Sequence, residues 1–271
     1  MLKAGVVGWP VSHSLSPRLH SYWLETYGIA GEYIPYPVTA VGLPAFIAGL
    51  RNSDISGVNL TIPHKETVIA LLDEVDEIAA SIGAVNTVVV RDGKLYGSNT
   101  DLYGFTENIF PHVKATGKAV VLGAGGAAKS VCRALQNMGF ARIVVLNRTE
   151  DRAQAMISEL KGEGLATQRW QERSIALGGA DLLVNTTSLG LKNSDALDID
   201  LSSLPKNALV TDIVYNPLIT PLLAQAQLRG NPTVDGLGML MYQAVPGFEA
   251  WFGVRPEVTA ELKAHLLEKI S

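Results

Sequence analysis

Short apolar runs separated by polar turns dominate the first hundred residues of the chain. The runs alternate apolar and polar positions with the two-residue period of half-buried strands, and stretches with helical spacing lie between them. Strands that alternate with helices predict an α/β domain. The predicted strands are residues 4–8, 32–38, 57–62, 85–91 and 95–98.

Turn and cap residues place the ends of several of these elements. Ser16, with a proline after it, predicts the N-cap of a helix that Gly28 ends. Residues 91–94, Arg-Asp-Gly-Lys, predict a tight hairpin turn. Pro63 predicts the first turn of another helix through residues 66–72, because its fixed φ suits that position.

The second half of the chain has a different pattern, since its first two strands are apolar throughout. A strand that is buried on both faces needs no polar positions, so these runs predict a buried parallel sheet. The tail from residue 239 predicts two helices divided near residues 253–256. The predicted strands of this half are residues 119–122, 142–146, 181–185 and 208–213.

A glycine-rich turn follows the first strand of this half. Residues 123–128, Gly-Ala-Gly-Gly-Ala-Ala, match the dinucleotide-binding pattern G-x-G-x-x-G/A between a strand and a helix. Gly123 permits the tight turn, Gly125 lets the backbone approach a pyrophosphate, and Ala128 allows the helix to pack closely on the sheet. The alternative is an ordinary packing turn, but the order of strand, turn, helix and second strand favours a cofactor site. The predicted cofactor contacts here are Gly123, Ala124, Gly125, Gly126 and Ala127.

The end of the second strand predicts which nucleotide binds. An NAD-binding protein usually has an acidic residue there for the ribose 2′-hydroxyl, whereas residues 147–149 are Asn-Arg-Thr and Arg152 follows one helical turn later. Guanidinium groups and a hydroxyl suit a 2′-phosphate, so we expect NADP rather than NAD. The alternative is that both arginines are ordinary surface residues. The predicted contacts of this part are Asn147, Arg148, Thr149 and Arg152, together with Thr186 and Ser188 after the next strand end.

Hydroxyl side chains just before the first helix offer a site for an anion. Ser12, Ser14 and Ser16 alternate there, and the N–H groups of a helix N-terminus suit a carboxylate. Ser16 has an alternative role as an N-cap, whereas Ser14 has no such duty.

Polar side chains at three further strand ends carry the candidate chemistry. Asn59, Thr61 and Lys65 follow one strand, while Asn86 and Asp101 stand at the ends of others. A lysine in the first turn of a helix faces the positive end of the helix dipole, so it should give up a proton more readily than in water. Beside a carboxylate and near a nicotinamide, it can exchange a proton with a hydroxyl as a hydride leaves or arrives. The alternative is a solvated surface lysine.

Composition removes several classes of function. The chain has 271 residues, a net charge of −4 and a pI near 5.8, so we expect no basic surface for nucleic acid. We also expect a cytoplasmic protein, because we find neither a membrane-spanning apolar run nor a signal-peptide core. The five histidines and the single Cys132 show no metal-ligand spacing, so we expect no bound metal. His64 invites a rival proton-transfer role, although a structural position is favoured for it.

In these motifs the chain resembles the shikimate dehydrogenase family, and the likeness runs along nearly its whole length. The resemblance implies the reversible, NADPH-dependent reduction of 3-dehydroshikimate to shikimate, in aromatic amino acid biosynthesis, with Lys65 and Asp101 as the catalytic pair. The motifs that carry it are residues 14–17, 59–65, 83–87, 99–101, 123–129, 147–149 and 235–243.

The resemblance also implies a role for each site residue. It gives Ser14 and Ser16 to the substrate carboxylate, and it brings Tyr215 to the substrate from the cofactor domain. The residues implied to bind substrate hydroxyls are Asn59, Thr61, Asn86, Asp101 and Gln243, with Lys65 also at the substrate, and those implied near the cofactor are Ile213, Gly236 and Met239.

The predicted fold class is α/β. It comprises two α/β domains, the C-terminal one a Rossmann-type doubly wound parallel sheet, with a cleft between them. Residues 1–101 are predicted to form the substrate-binding and catalytic domain, completed by C-terminal helices 239–271, and residues 102–238 the NADP-binding domain. We expect a small-molecule substrate and a monomer or homodimer. An enzyme that also oxidises quinate and a binding protein without turnover stay open, although a proton-transfer pair favours an enzyme.

Overall fold

A computed structural model describes residues 1–270 of the chain. It divides into two compact units, of which the first comprises Met1–Tyr103 with Leu240–Leu267. The second comprises Gly104–Met239 with residues 268–270. Ser271, which the sequence assigns to the completion of the first domain, lies outside the described residues.

The first unit contains a six-stranded sheet in the order β2-β1-β3-β5-β6-β4. The pairs of β1 with β2 and β3 are parallel, and β5 runs antiparallel to both β3 and β6. Apolar side chains of β1, β3 and β5 pack with those of α2 in one buried cluster. The elements are β1 (Leu2–Gly8), α1 (Ser16–Thr26), β2 (Gly31–Pro37), α2 (Leu43–Leu50), β3 (Ile55–Leu60), β4 (Glu74–Val75), α3 (Glu77–Ile82), β5 (Thr87–Arg91), β6 (Lys94–Ser98) and α4 (Asp101–Ile109).

The predicted turns and stops of this unit are confirmed. Asp92 and Gly93, at φ 51° and 72°, form the hairpin turn between β5 and β6, and both lie in the left-handed region that such a turn requires. Gly28, at φ 63°, follows the end of α1.

Strand β2 lies at one edge of the sheet and carries two prolines. The N–H of Val38 bonds to Gly8 of β1, so the backbone nitrogens at alternate positions face inward. The nitrogens of Pro35 and Pro37 therefore face the outer edge, where no ladder hydrogen bond is lost.

The helix predicted through residues 66–72 is wrong in kind, and Pro63 and Lys65 do not belong to its first turn. A short 3₁₀ helix, Thr67–Leu71, stands there, and both Pro63 and Lys65 precede it. The Lys65 carbonyl accepts from the Val85 N–H at 2.8 Å, so this segment is tied to the chain beside the sheet. The argument that a helix dipole acts on the Lys65 ammonium therefore fails.

The second unit contains a parallel sheet in the order β12-β11-β10-β7-β8-β9. Strands β8 and β9 follow β7 on one side, and the chain then returns to place β10, β11 and β12 on the other side. This order confirms the Rossmann-type doubly wound fold. Strand β9 was not predicted from the sequence. It is a half-exposed edge strand of mixed polarity, so it lacks the apolar run that marks β7 and β8. The elements are β7 (Lys118–Leu122), α5 (Gly126–Asn137), β8 (Arg142–Asn147), α6 (Glu150–Leu160), β9 (Leu165–Arg169), β10 (Leu182–Asn185), β11 (Leu209–Asp212), α7 (Pro221–Arg229) and β12 (Thr233–Val234).

The tail forms two helices, α8 (Leu237–Phe252) and α9 (Ala260–Leu267). The predicted division of the tail near residues 253–256 is confirmed. Gly253 directly follows the end of α8 and has a φ of 78°. The indole N–H of Trp251 donates to the Val88 carbonyl at 3.1 Å, which ties α8 to β5. Within residues 1–270, no helix is long and apolar enough to cross a membrane, and no three metal-ligating side chains cluster.

Candidate active site

The first unit brings Lys65 and Asp101 together. Lys65 follows β3, and Asp101 is the first residue of α4. The Lys65 Nζ donates to Asp101 Oδ2 at 2.5 Å, with 17% of the lysine side chain and 7% of the aspartate side chain exposed. A pair this well shielded from water interacts more strongly than a surface pair, yet the lysine keeps a path to solvent.

Asn86 links this pair to the tail helix. Its side-chain amide donates to Asp101 Oδ1 at 2.8 Å and lies 3.5 Å from Gln243 Oε1 on α8. Its carbonyl oxygen accepts from the Thr100 N–H at 2.8 Å, which fixes the orientation of the amide. Three of the residues implied to bind hydroxyls therefore share one buried cluster.

Asn59 is buried beside this cluster with its donors already engaged. Its amide nitrogen donates to the Asn86 carbonyl and to the Thr87 hydroxyl, each at 3.1 Å. Its side-chain oxygen accepts from the Tyr33 hydroxyl at 2.6 Å. An amide has two N–H donors, so the geometry leaves Asn59 only a second lone pair on that oxygen for a ligand. Sequence reasoning missed Tyr33, which lies 26 residues away from Asn59.

Ser16 is not the N-cap that the sequence predicts, and Ser14, which was expected to have no such role, bonds to the start of the helix. Helix α1 begins at Ser16 with Leu15 at the N-cap position, and no side chain caps it from there. Instead Ser14 Oγ accepts from the Ser16 N–H at 3.2 Å. The Ser16 side chain is buried next to Tyr33, whose pKa burial raises well above its usual value while a hydrogen bond from Ser16 acts the other way.

Two histidines of this unit are buried. His64 places its Nε2 2.7 Å from the Val38 carbonyl, an arrangement that fits the structural position favoured for it. His20 stacks on Tyr33 with the ring centroids 3.9 Å apart, and neither of its ring nitrogens has a hydrogen-bond partner within residues 1–270. Burial lowers the pKa of His20 to about 3. Thr61, half-buried, turns its methyl group toward Gly8.

The glycine-rich turn of the second unit has the geometry that a pyrophosphate needs. Gly123 has a φ of 111°, and a Cβ there would stand 2.5 Å from Thr186 Oγ1, so the turn excludes any larger residue. Gly125 occupies the N-cap of α5 without a side-chain cap, and a Cβ on it would meet nothing within 4 Å. Open space therefore lies beside uncapped helix N–H groups, which fits an anionic group. Ala128 is fully buried against the sheet, as its place in the pattern requires.

The arginines after β8 are available to a ligand. Arg148 and Arg152 are exposed, and within the described part of the chain neither guanidinium group has a hydrogen bond or an ion pair. Thr149 occupies the N-cap of α6, but its hydroxyl makes no capping bond. The Asn147 amide donates to the Thr149 carbonyl at 2.8 Å and orders the turn.

The remaining predicted contacts lie after β10 and β11 or near the start of α8. Thr186 already donates its hydroxyl to the Leu122 carbonyl at 2.7 Å. Gly236 packs against Ile213, since a Cβ there would stand 2.5 Å from the Ile213 oxygen. Met239 is buried, whereas Ser188 is exposed and Tyr215 half-buried.

Comparisons with known proteins agree over both units. A family model described as "Shikimate dehydrogenase substrate binding domain" matches residues 6–88, and one described as "Shikimate / quinate 5-dehydrogenase" matches residues 105–225. The NADP(+) shikimate dehydrogenase of Paramagnetospirillum magneticum is 52% identical over 269 residues, which covers 97% of each chain.

Solved structures resemble the whole chain. Shikimate 5-dehydrogenase from Thermus thermophilus, in complex with NADP(H) and shikimate, has a TM-score of 0.89 and 37% identity, covering 99% of this chain and 100% of its own. Quinate dehydrogenase from Corynebacterium glutamicum, in complex with NAD, has a TM-score of 0.90 and 30% identity, covering 98% and 99%.

Proposed function

Because this chain belongs to the shikimate dehydrogenase family, we propose that it catalyses the reversible, NADP-dependent interconversion of shikimate and 3-dehydroshikimate. The reaction is a step of aromatic amino acid biosynthesis, and the chain is an oxidoreductase that acts on a CH–OH group. The observation that carries the proposal on this chain's own residues is the shielded contact between Lys65 Nζ and Asp101 Oδ2 at 2.5 Å.

Lys65 is the residue that moves the proton. In the reducing direction its ammonium gives a proton to the oxygen of the substrate ketone, and in the oxidising direction its neutral amine takes one from the hydroxyl. Asp101 holds the lysine in place and stabilises its charged form. The part of the lysine side chain that stays exposed allows the proton to be exchanged with water.

The substrate is held at both ends in this proposal. Ser14 and Ser16 bind its carboxylate at the start of α1, where helix N–H groups favour an anion. The cluster of Asn86, Asp101 and Gln243 binds hydroxyls, while Asn59 serves through its oxygen or through the residues that it holds.

The second unit fits NADP. Bound NADPH supplies the hydride that reaches the substrate carbon. The open face of Gly125 and the uncapped start of α5 would receive the pyrophosphate, and the unpaired Arg148 and Arg152 the 2′-phosphate. A cytoplasmic location and a monomeric or homodimeric state are also part of this proposal.

One assay tests the function. Purified protein is given shikimate or quinate, each with NADP or NAD, and the absorbance of the reduced nicotinamide is followed. We expect fast turnover with shikimate and NADP. Faster turnover of quinate would instead indicate the specificity of a quinate dehydrogenase, and no turnover of either would indicate a binding protein.

A further inference from the structure

Asp212 is a buried carboxylate that the proposed reaction does not use. It is the last residue of β11 and is wholly buried. Its Oδ1 accepts from the Asn185 amide and the Val214 N–H, each at 3.0 Å, and its Oδ2 from the Thr220 hydroxyl at 2.8 Å. These three donors are uncharged, and Asp212 has no ion pair within the described part of the chain. Burial raises the pKa of Asp212 to about 6, while these hydrogen bonds act against the rise.

A buried carboxylate without a cation is costly, because its desolvation is offset by hydrogen bonds alone. It has one property that an amide lacks, since both of its oxygens only accept. Asp212 therefore forces the side-chain nitrogen of Asn185 toward β11 and turns the side-chain oxygen of Asn185 the other way.

The side chain of Asn185, fixed in this orientation, makes hydrogen bonds to the loop after β10. Its side-chain oxygen accepts from the N–H and the hydroxyl of Thr187, at 3.0 and 2.7 Å. Its amide also donates to the Leu189 carbonyl at 3.1 Å, and its backbone carbonyl accepts from the Ile213 N–H at 3.1 Å. One Asn–Asp pair thus joins the loop after β10 to the loop after β11.

These two loops carry Thr186, Ser188, Ile213 and Tyr215, which are predicted to contact cofactor or substrate. They leave the carboxyl ends of neighbouring parallel strands, where open α/β sheets bind ligands. We propose that Asp212 is a positioning residue that fixes the spacing of the two loops for the dinucleotide. The inference rests on the proposed function, because that function supplies the dinucleotide.

The test is cofactor binding by the whole chain, measured by calorimetry. Asp212→Asn keeps the shape but places an N–H against donors, so we expect NADP and NAD to bind more weakly by a similar factor, roughly tenfold. Asp200→Asn makes the same chemical change at an exposed residue and should leave both affinities unchanged. Unchanged affinities in Asp212→Asn, with only a lower melting temperature, would overturn the proposal.

A milder variant covers the case in which Asp212→Asn does not fold. Thr187→Val removes the hydrogen bond that the hydroxyl donates to Asn185 and the one that it accepts from the Leu189 N–H in the same loop, so it should weaken the binding of both nucleotides together by a few-fold. Unaltered binding would again reject the positioning role. Wild-type protein that binds NADP without oxidising shikimate would contradict the proposed function alone. Wild-type turnover combined with unchanged binding in both variants would contradict this inference alone.

Discussion

Lys65 differs from the surface lysines of the chain because its ion pair with a carboxylate is largely shielded from water. If it transfers the substrate proton, Lys65→Ala should lower kcat by roughly two to four orders of magnitude with limited change in the shikimate KM, the usual range for a general acid–base group. Steady-state kinetics checks this, with Lys3→Ala, a half-exposed lysine paired with Asp54, as the matched control. An unaltered kcat would remove Lys65 from the mechanism.

Asp101 should respond differently from its partner, because it both receives the Asn86 amide and holds Lys65. Asp101→Asn should therefore lower kcat and raise the shikimate KM together. A change in kcat alone would show that Asp101 does not contact the substrate.

The two serines before α1 test the carboxylate site. A hydrogen bond to a charged group is worth about 1.5 to 3 kcal/mol, so the double change of Ser14 and Ser16 to alanine should raise the shikimate KM by about tenfold or more. The NADP affinity should barely move. Since Ser14 also accepts the Ser16 N–H, a lower melting temperature with an unchanged KM would assign the serines to the helix start alone.

At the scale of elements, we expect the start of α6 to determine the choice of nucleotide. The side chains of Arg148 and Arg152 have no internal hydrogen bond or ion pair to lose within the described residues, so changing both to alanine should weaken NADP binding strongly and leave NAD binding nearly unchanged. Because the contacts are ionic and exposed, the preference of the wild type for NADP should also shrink as salt rises. Titration with both nucleotides at two ionic strengths checks both statements. Equal weakening for the two nucleotides would mean that the arginines do not bind the phosphate.

The elements that sequence could predict are those whose signals are local. The turn of residues 91–94 and the apolar strands β7 and β8 depend on their own residues, so they were predicted correctly. The segment at Pro63 was not, because its course depends on the distant N–H of Val85. Strand β4 has only two residues and owes its extended structure to its pairing with β6, which no local pattern predicts.

The residues of the candidate site likewise divide into those that local sequence signals predict and those that they do not. The pairing of Lys65 with Asp101 could be predicted because both residues stand at the ends of predicted elements with no capping duty. Tyr33 and Asp212 could not, since each acts through a side-chain hydrogen bond to a different strand that no local pattern records. Tyr33 reaches Asn59 across the sheet, and Asp212 reaches Asn185 from the adjacent strand.

At the scale of the whole molecule, His20 links stability to pH. Its pKa is about 3 in the fold against 6.5 normally, so between these values the unfolded chain binds a proton that the folded chain does not. The contribution of this neutral ring to stability is complete above pH 6.5 and is lost as the pH falls. The free energy of unfolding should decrease by about 1.4 kcal/mol for each pH unit below 6.5 from this group.

Urea unfolding between pH 7.5 and pH 5 measures this effect. His20→Phe keeps an aromatic ring on Tyr33 and removes the titrating group, so its stability should depend less on pH than that of the wild type. His112→Phe, at an exposed position, is the matched control. Identical pH dependence in His20→Phe and the wild type would contradict the prediction.

The prolines of β2 have a consequence for the protein at high concentration. A strand from another molecule that added to this edge would pair with its outward N–H and C=O groups, but at positions 35 and 37 the ring nitrogens carry no hydrogen and cannot donate. Of the four outward nitrogens at 31, 33, 35 and 37, only those of Gly31 and Tyr33 can donate. The β2 edge of the first sheet is therefore a poor template for the edge-to-edge pairing of strands that begins an aggregate. What opposes pairing there is the loss of two backbone donors, not the repulsion of charged side chains.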